Sequence, residues 1–218
     1  MQEFIQDIAY AFEAGGYMMV VIAFVLTFTV VVIIERYYTL FRKYDLDANS
    51  LMSEIRKYVL AGDVDGAIRV CNGAERSALA RVLKAGLSRA SRTEGQVQNA
   101  IDSISLEVIG KIEKRIAYLS MLANVATLFG LLGTIIGLMH AFSAIALADP
   151  SQKSAILSKG IAEAMNCTAF GLMTAIVAMI SHSWLSSKAT KIVSDVDEYS
   201  VKLMDLLSAQ KLKNSGEN

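Results

Sequence analysis

The chain has one proline, Pro150, in 218 residues, so nothing in the sequence forces a helix to stop elsewhere. It has two cysteines, Cys71 and Cys167, one in a charged region and one in an apolar run, which excludes a disulfide framework. Its two histidines, His140 and His182, have no metal-like neighbours in sequence, and there is no Cys-x-x-Cys pair. A glycine-rich phosphate loop and a nucleophile elbow are also missing. These absences argue against covalent or metal catalysis. No catalytic residue, metal ligand or cofactor is expected, and the chain reads as a non-enzyme. The first sixteen residues hold Glu3, Asp7 and Glu13 but no Lys or Arg, the wrong sign for a cleavable signal peptide. Formal net charge is zero, so the overall balance gives no reason to expect a nucleic-acid partner.

What is present is apolar. Hydrophobic residues make up 54% of the chain and mean hydropathy is +0.42, too high for an ordinary soluble domain. Tyr17–Ile34 is uncharged and long enough to span a bilayer. Two further apolar stretches, Ile116–Ala148 and Ile161–Trp184, flank a turn at Asp149–Pro150–Ser151. Fourteen of the 21 Lys and Arg lie between the first two stretches, two between the second and third, five after Trp184 and none before Tyr17. By the positive-inside rule this places the N-terminus outside and both the large loop and the C-terminus inside. The fold class expected is an all-α membrane protein with three transmembrane helices, two of them extending into a cytosolic helical bundle. Its segments are a periplasmic amphipathic stretch at 1–16, spans at 17–34, 116–148 and 161–184, a cytosolic helical domain at 35–115, a periplasmic turn at 149–160, and a cytosolic helix and tail at 185–218.

In the cytosolic domain, Asp47 or Asn49 and then Asp63 are positioned to cap short helices, and Gly62 to end the first. A helix starting at Thr93, with Gln96 completing a capping box, has no proline to stop it before Pro150. About fifty residues would make a rod of some 75 Å, longer than a bilayer is thick. After Trp184, apolar residues from Leu185 to Leu206 keep a four–three spacing suited to a bundle, and Lys213–Asn218 read as a disordered tail.

Both later spans carry a stripe of small residues. One runs Ala123, Thr127, Gly130, Thr134, Gly137, Ala141, Ala144, Ala148. The other runs Gly160, Ala164, Thr168, Gly171, Ala175, Ala178. Such stripes let helix backbones approach where lipid supplies no hydrophobic drive. Counting from the turn, Thr134 and Thr168 fall at similar depth. Each hydroxyl can serve a polar conduit, or simply bond its own helix one turn back. Glu163 is the only carboxylate within the two spans, and intramembrane ionisable groups are functional candidates by default. His182 lies on the same stripe near its far end, where a proton exit and an ordinary boundary residue are both open readings.

Leu128–Phe142 (LFGLLGTIIGLMHAF) and Gly160–Ile176 (GIAEAMNCTAFGLMTAI) resemble the two signature segments of the ExbB/TolQ/MotA proton-channel family, and the loop segment beginning GDVDGAIRVCNG resembles that family's cytosolic loop. The three-span plan is similar to the ExbB and TolQ branch. The resemblance implies a homopentamer in a bacterial inner membrane, built around a single-span ExbD/TolR-like partner, that turns proton-motive force into work through a TonB-like or TolA-like protein. It places pore threonines at Thr134 and Thr168 and the membrane glutamate at Glu163; Thr127 is the further lining candidate. Gly130, Gly133, Gly137, Gly171 and Ala175 are the expected packing positions. Val177 and Ala78 depart from the family's usual prolines. No Asp lies in any span, so the proton-carrying acid is expected from the partner. TonB-type transport is the leading role, with TolQ-like envelope maintenance, a surface-gliding motor and a non-conducting scaffold as alternatives.

Overall fold

The computed structural model describes residues 16–44 and 47–216, and side chains within them except those of residues 42, 43 and 212–216. The amphipathic segment expected at 1–16 therefore lies almost wholly outside the described residues. Among the described residues seven α-helices follow one another: α1 (Gly16–Tyr38), α2 (Ala48–Leu60), α3 (Val64–Gly73), α4 (Ala78–Leu87), α5 (Glu94–Glu113), α6 (Ile116–Leu147) and α7 (Lys153–Gly216), with a π-helical turn, Thr39–Tyr44, closing α1. No strand occurs among the described residues. Among the described residues three stretches are long and apolar enough to cross a membrane: Gly16–Phe41, Glu94–Leu147 and Lys153–Lys211. The protein is a multi-pass, all-α membrane protein.

The chain divides into two units. The first takes residues up to Ile34 with Arg115–Ser183. Its centre is the α6–α7 pair, on which Val25 of α1 packs beside Leu122, Ala123, Ala126, Ala175 and Ala178. Outward-facing residues there are large and apolar, among them Phe24, Leu128, Ile135, Met165 and Ile180. That inversion of the usual soluble pattern suits a surface bathed in lipid.

The second unit takes Glu35–Lys114 with the chain from Trp184. Here α2 packs on α3, α3 on α4 and α4 on α5. The α7 stripe Leu185, Ala189, Ile192, Val196, Tyr199, Leu203 and Leu207 is buried. The last buried position is Leu207 rather than Leu206. Caps follow the sequence closely. Asp47 accepts from the amides of Asn49 and Ser50, Gly62 takes φ +78° after α2, and Asp63 accepts from Gly66 N at 2.7 Å. At Thr93 no side-chain cap forms, so the capping box is not used. Cys71 is fully buried, and that burial pushes its thiol up from 9.0 to about 11.

Two expectations change. The helix read as continuous from Thr93 into the second span is interrupted: Lys114 is extended (φ −50°, ψ 134°) and Arg115 is left-handed (φ 67°). Neither position is proline or glycine, so the cause is tertiary. Arg36, 4% exposed at the end of α1, donates from Nη1 to the carbonyls of Lys111 (3.3 Å) and Ile112 (3.1 Å). In an unbroken helix those two carbonyls would accept from the amides of Arg115 and Ile116. The guanidinium takes their place, and the helix ends there. At the other end of the chain, the segment read as a disordered tail stays helical to Gly216.

Candidate functional site

The α6–α7 seam has a fixed register. A Cβ added at Gly130 would meet Gly171 and Thr168, one at Gly133 would meet Cys167, and one at Gly137 would meet Ala164. Gly160 stands against Ala141 in the same way. At Gly171 the obstacle is the facing backbone itself: a methyl there would lie 2.8 Å from Ala126 O and 2.9 Å from Gly130 Cα. Gly130, Gly133, Gly137, Gly171 and Ala175 are all buried in this seam. Small residues here let the two helix backbones touch. The α7 helix continues through Val177 without interruption.

All three hydroxyls donate to backbone carbonyls, one across the seam and two within their own helix. Thr168 Oγ1 donates across the seam to Gly130 O at 3.0 Å. Thr134 and Thr127 bond their own helix, to Leu131 O (2.5 Å) and Ala123 O (3.1 Å). The reason lies in the phase of α6. Its buried face runs through Ala123, Ala126, Gly130, Gly133, Gly137 and Ala141, whereas Thr127 is exposed and Thr134 half-buried. Each threonine follows a buried residue by one position, which turns it about 100° away. The register also sets Thr134 nearer the level of Ala164 and Cys167 than of Thr168. Thr174 is a buried hydroxyl that the sequence reading passed over; it donates to Phe170 O at 3.0 Å. Its spacing from Gly171 and Ala178 was the available signal.

Glu163 is half-buried beside Gly16, so close that a Cβ on that glycine would overlap the carboxylate. Gly16 starts α1 with φ +64°, and a carboxylate is favoured at a helix N-terminus, where amides lack intrahelical partners. Toward the other end of the α7 span, His182 is half-buried. The structure thus brings Thr168 together with the packing glycines and Ala175. It leaves Thr127 and Thr134 on the flank of α6 and holds Glu163 near the start of α1. Among the described residues, no group of three His, Cys, Asp or Glu side chains is placed to hold a metal ion.

With the seam, its hydroxyls and its single carboxylate defined, comparison with known proteins is decisive. Residues 74–198 match the sequence profile of the MotA/TolQ/ExbB proton channel family. The chain belongs to that family. The MotA/TolQ/ExbB match includes α4, α5, the whole of α6 and the part of α7 that packs against it. The chain is 36% identical over 99 residues to the Tol-Pal system protein TolQ of Haemophilus influenzae, covering 44% of this chain and 43% of that protein. It is 22% identical over 178 residues to a putative biopolymer transport protein, an ExbB homolog of Methanothermobacter thermautotrophicus, covering 81% and 62%. A Synechocystis ExbB-like protein is 28% identical over 168 residues, covering 77% and 79%. The first two alignments thus span less than two thirds of the relatives' own lengths. The MotA/TolQ/ExbB family is one of channel subunits, not an enzyme class.

Arg36 is the residue that sequence reasoning undervalued. Its place after an apolar run reads as a boundary cation, and only the packing of α1 against the end of α5 reveals a buried one. Its neighbour Glu35 forms an ion pair with it at 3.3 Å.

Proposed function

We propose that this chain is the channel-forming subunit of a proton-driven motor in a bacterial inner membrane. Its N-terminus is periplasmic and its C-terminus cytosolic. It works as a homopentamer around a single-span ExbD/TolR-like partner and energises TonB-type outer-membrane transport. One observation carries the reading: Thr127, exposed, and Thr134, half-buried, stand on the α6 flank turned away from the seam, while the only carboxylate in the two later spans is Glu163, beside Gly16. That flank offers hydroxyls without a titrating acid. A proton path needs such an acid, so the partner's membrane helix supplies an aspartate to it. Glu163 and His182 then serve the entry and exit ends.

Proteoliposomes holding a pH-sensitive dye test this. The chain with its partner conducts protons, the chain alone does not, and Thr134→Val in the complex lowers the flux while the assembly persists. Equal flux from the chain alone would refute the borrowed acid. No flux from either preparation would favour the scaffold reading.

A second reading is Tol-type envelope maintenance, supported by the TolQ relatives from Haemophilus influenzae and Pseudomonas aeruginosa at 36% and 30% identity. Deleting the gene separates the two. Loss of energy-dependent iron-chelate uptake supports the first, and leakage of periplasmic protein with intact uptake supports the second.

A further inference from the structure

The second unit holds a polar pocket that the motor reading does not use. Its volume is about 520 Å³, and it is lined by Phe41, Asp47, Asn49, Lys188, Lys191 and Asp195. Tyr199 borders it and donates from its hydroxyl to Asn49 Oδ1 at 2.5 Å, tying α7 to the start of α2. Beside the pocket three rings stack in a continuous group. Tyr37 and Phe41 lie 4.9 Å apart, Phe41 and Trp184 4.9 Å, and Tyr37 and Trp184 5.6 Å. Lys188 Nζ sits 5.0 Å from the Phe41 ring centre. Phe41 is carried by the π-helical turn Thr39–Tyr44, a rare local geometry often found at functional sites.

Two features narrow the ligand. The first is depth. Tyr37 follows the apolar run Tyr17–Ile34 and Trp184 ends the run from Ile161, so the ring group belongs at headgroup level. Tyr37 and Trp184 remain 48% and 53% exposed. The second is charge. The lining has two ammonium groups and two carboxylates in one small space. Asp47 already takes the free amides at the start of α2, so an incoming anion goes to the lysines. A purely anionic headgroup would meet Lys188 and Lys191 but leave Asp47 and Asp195 opposing it. A quaternary ammonium could not donate a hydrogen bond to a carboxylate. A headgroup with both a phosphate and a primary ammonium matches the whole lining.

We infer that this pocket binds the phosphoethanolamine headgroup of a membrane lipid. The phosphate sits between Lys188 and Lys191, the ammonium sits toward Asp195 and Asp47, and the lipid's glycerol backbone lies along Tyr37 and Trp184. The inference is independent of what the channel energises.

Trp184 is the only tryptophan in the chain, so its emission reports on this place directly. Full-length protein in detergent is titrated with short-chain phosphatidylethanolamine, phosphatidylglycerol and phosphatidylcholine of matched acyl length. The expected result is a saturable change with phosphatidylethanolamine, at an affinity about tenfold above the other two, as one extra charge-assisted hydrogen bond provides. Joint Lys188→Gln and Lys191→Gln substitution abolishes saturation. Asp195→Asn turns the preference toward phosphatidylglycerol, an effect general unfolding would not mimic. The inference is overturned if the three lipids act alike, if the response never saturates, or if the variants titrate as the parent does. It is equally overturned if Trp184 is silent to all lipids because a second copy covers the pocket.

Discussion

Replacing Gly171 with alanine isolates the backbone contact between α6 and α7. The new methyl would stand 2.8 Å from Ala126 O and 2.9 Å from Gly130 Cα. Comfortable separations between such atoms are roughly 3.5–4.0 Å, so the helices must part by about 0.5–1 Å locally. Neither obstacle is a flexible side-chain tip that could swing aside. Overpacking of this kind costs about 1–3 kcal/mol. Parting the helices also stretches the Thr168–Gly130 bond, and such a bond between membrane helices contributes about 0.6 kcal/mol on average. Alanine's better helix propensity returns up to about 1 kcal/mol. The net expectation is a loss near 2 kcal/mol, or a fall of roughly 4–8 °C in the unfolding midpoint for a chain of this size. Gly110→Ala is the control: that glycine is exposed in α5 and a Cβ there would touch nothing within 4 Å, so it should be neutral or stabilising. Gly130→Ala falls between them, because its nearest backbone neighbours are 3.3 Å away. Thermal unfolding in one detergent, followed by circular dichroism, ranks the three variants. If Gly171→Ala melts with or above Gly110→Ala, direct backbone contact in the seam is refuted.

Arg36→Gln should expose the end of α5, leaving the Lys111 and Ile112 carbonyls without their charged donor at a cost of about 2–3 kcal/mol. Hydrogen exchange at Lys111–Arg115 should quicken, and unchanged protection there would rule out the proposed cause of the helix break. Thr168→Val and Thr134→Val should part company: the first loses a bond across the seam and lowers stability by about 0.6 kcal/mol, up to about 1.7. The second keeps the parent's melting behaviour in detergent, because its hydroxyl serves only its own helix. Asp63→Ala should lower the stability of the second unit by about 1 kcal/mol through the lost cap on Gly66 N, read as a shift in urea midpoint at constant slope.

The sequence displays those parts of the fold that depend on local chemistry. Asp47, Gly62 and Asp63 act where their side chains or backbone freedom suggest, because caps and positive-φ turns are decided within a few residues. The glycine stripes are legible for a similar reason: a face of small residues at four–three spacing has few uses inside lipid other than close packing. What stays hidden is phase. Thr127 and Thr134 pass every spacing test for the seam, yet Ala126 and Gly133 occupy it, because alanine, glycine and threonine all count as small and only the partner helix chooses among them. The break at Lys114–Arg115 is hidden more deeply. No residue nearby disfavours helix strongly, and the group responsible, Arg36, lies about seventy-five positions away in the chain. The equivalence of Thr134 and Thr168 likewise rests on counting from Pro150, and a difference of one turn between the two helices is within the freedom of that count.

Cys71 and Cys167 are 0% and 2% exposed, and between them they are all the cysteine the protein has. The native sequence is accordingly a blank canvas for maleimide and spin-label reagents at neutral pH. A reporter sulfhydryl introduced at an outward position such as Leu147, 94% exposed, would be the sole target, with no prior cysteine-free background to engineer. Sidedness in spheroplasts, spacing between copies and opening during turnover can each be followed from single-site variants of an otherwise untouched protein.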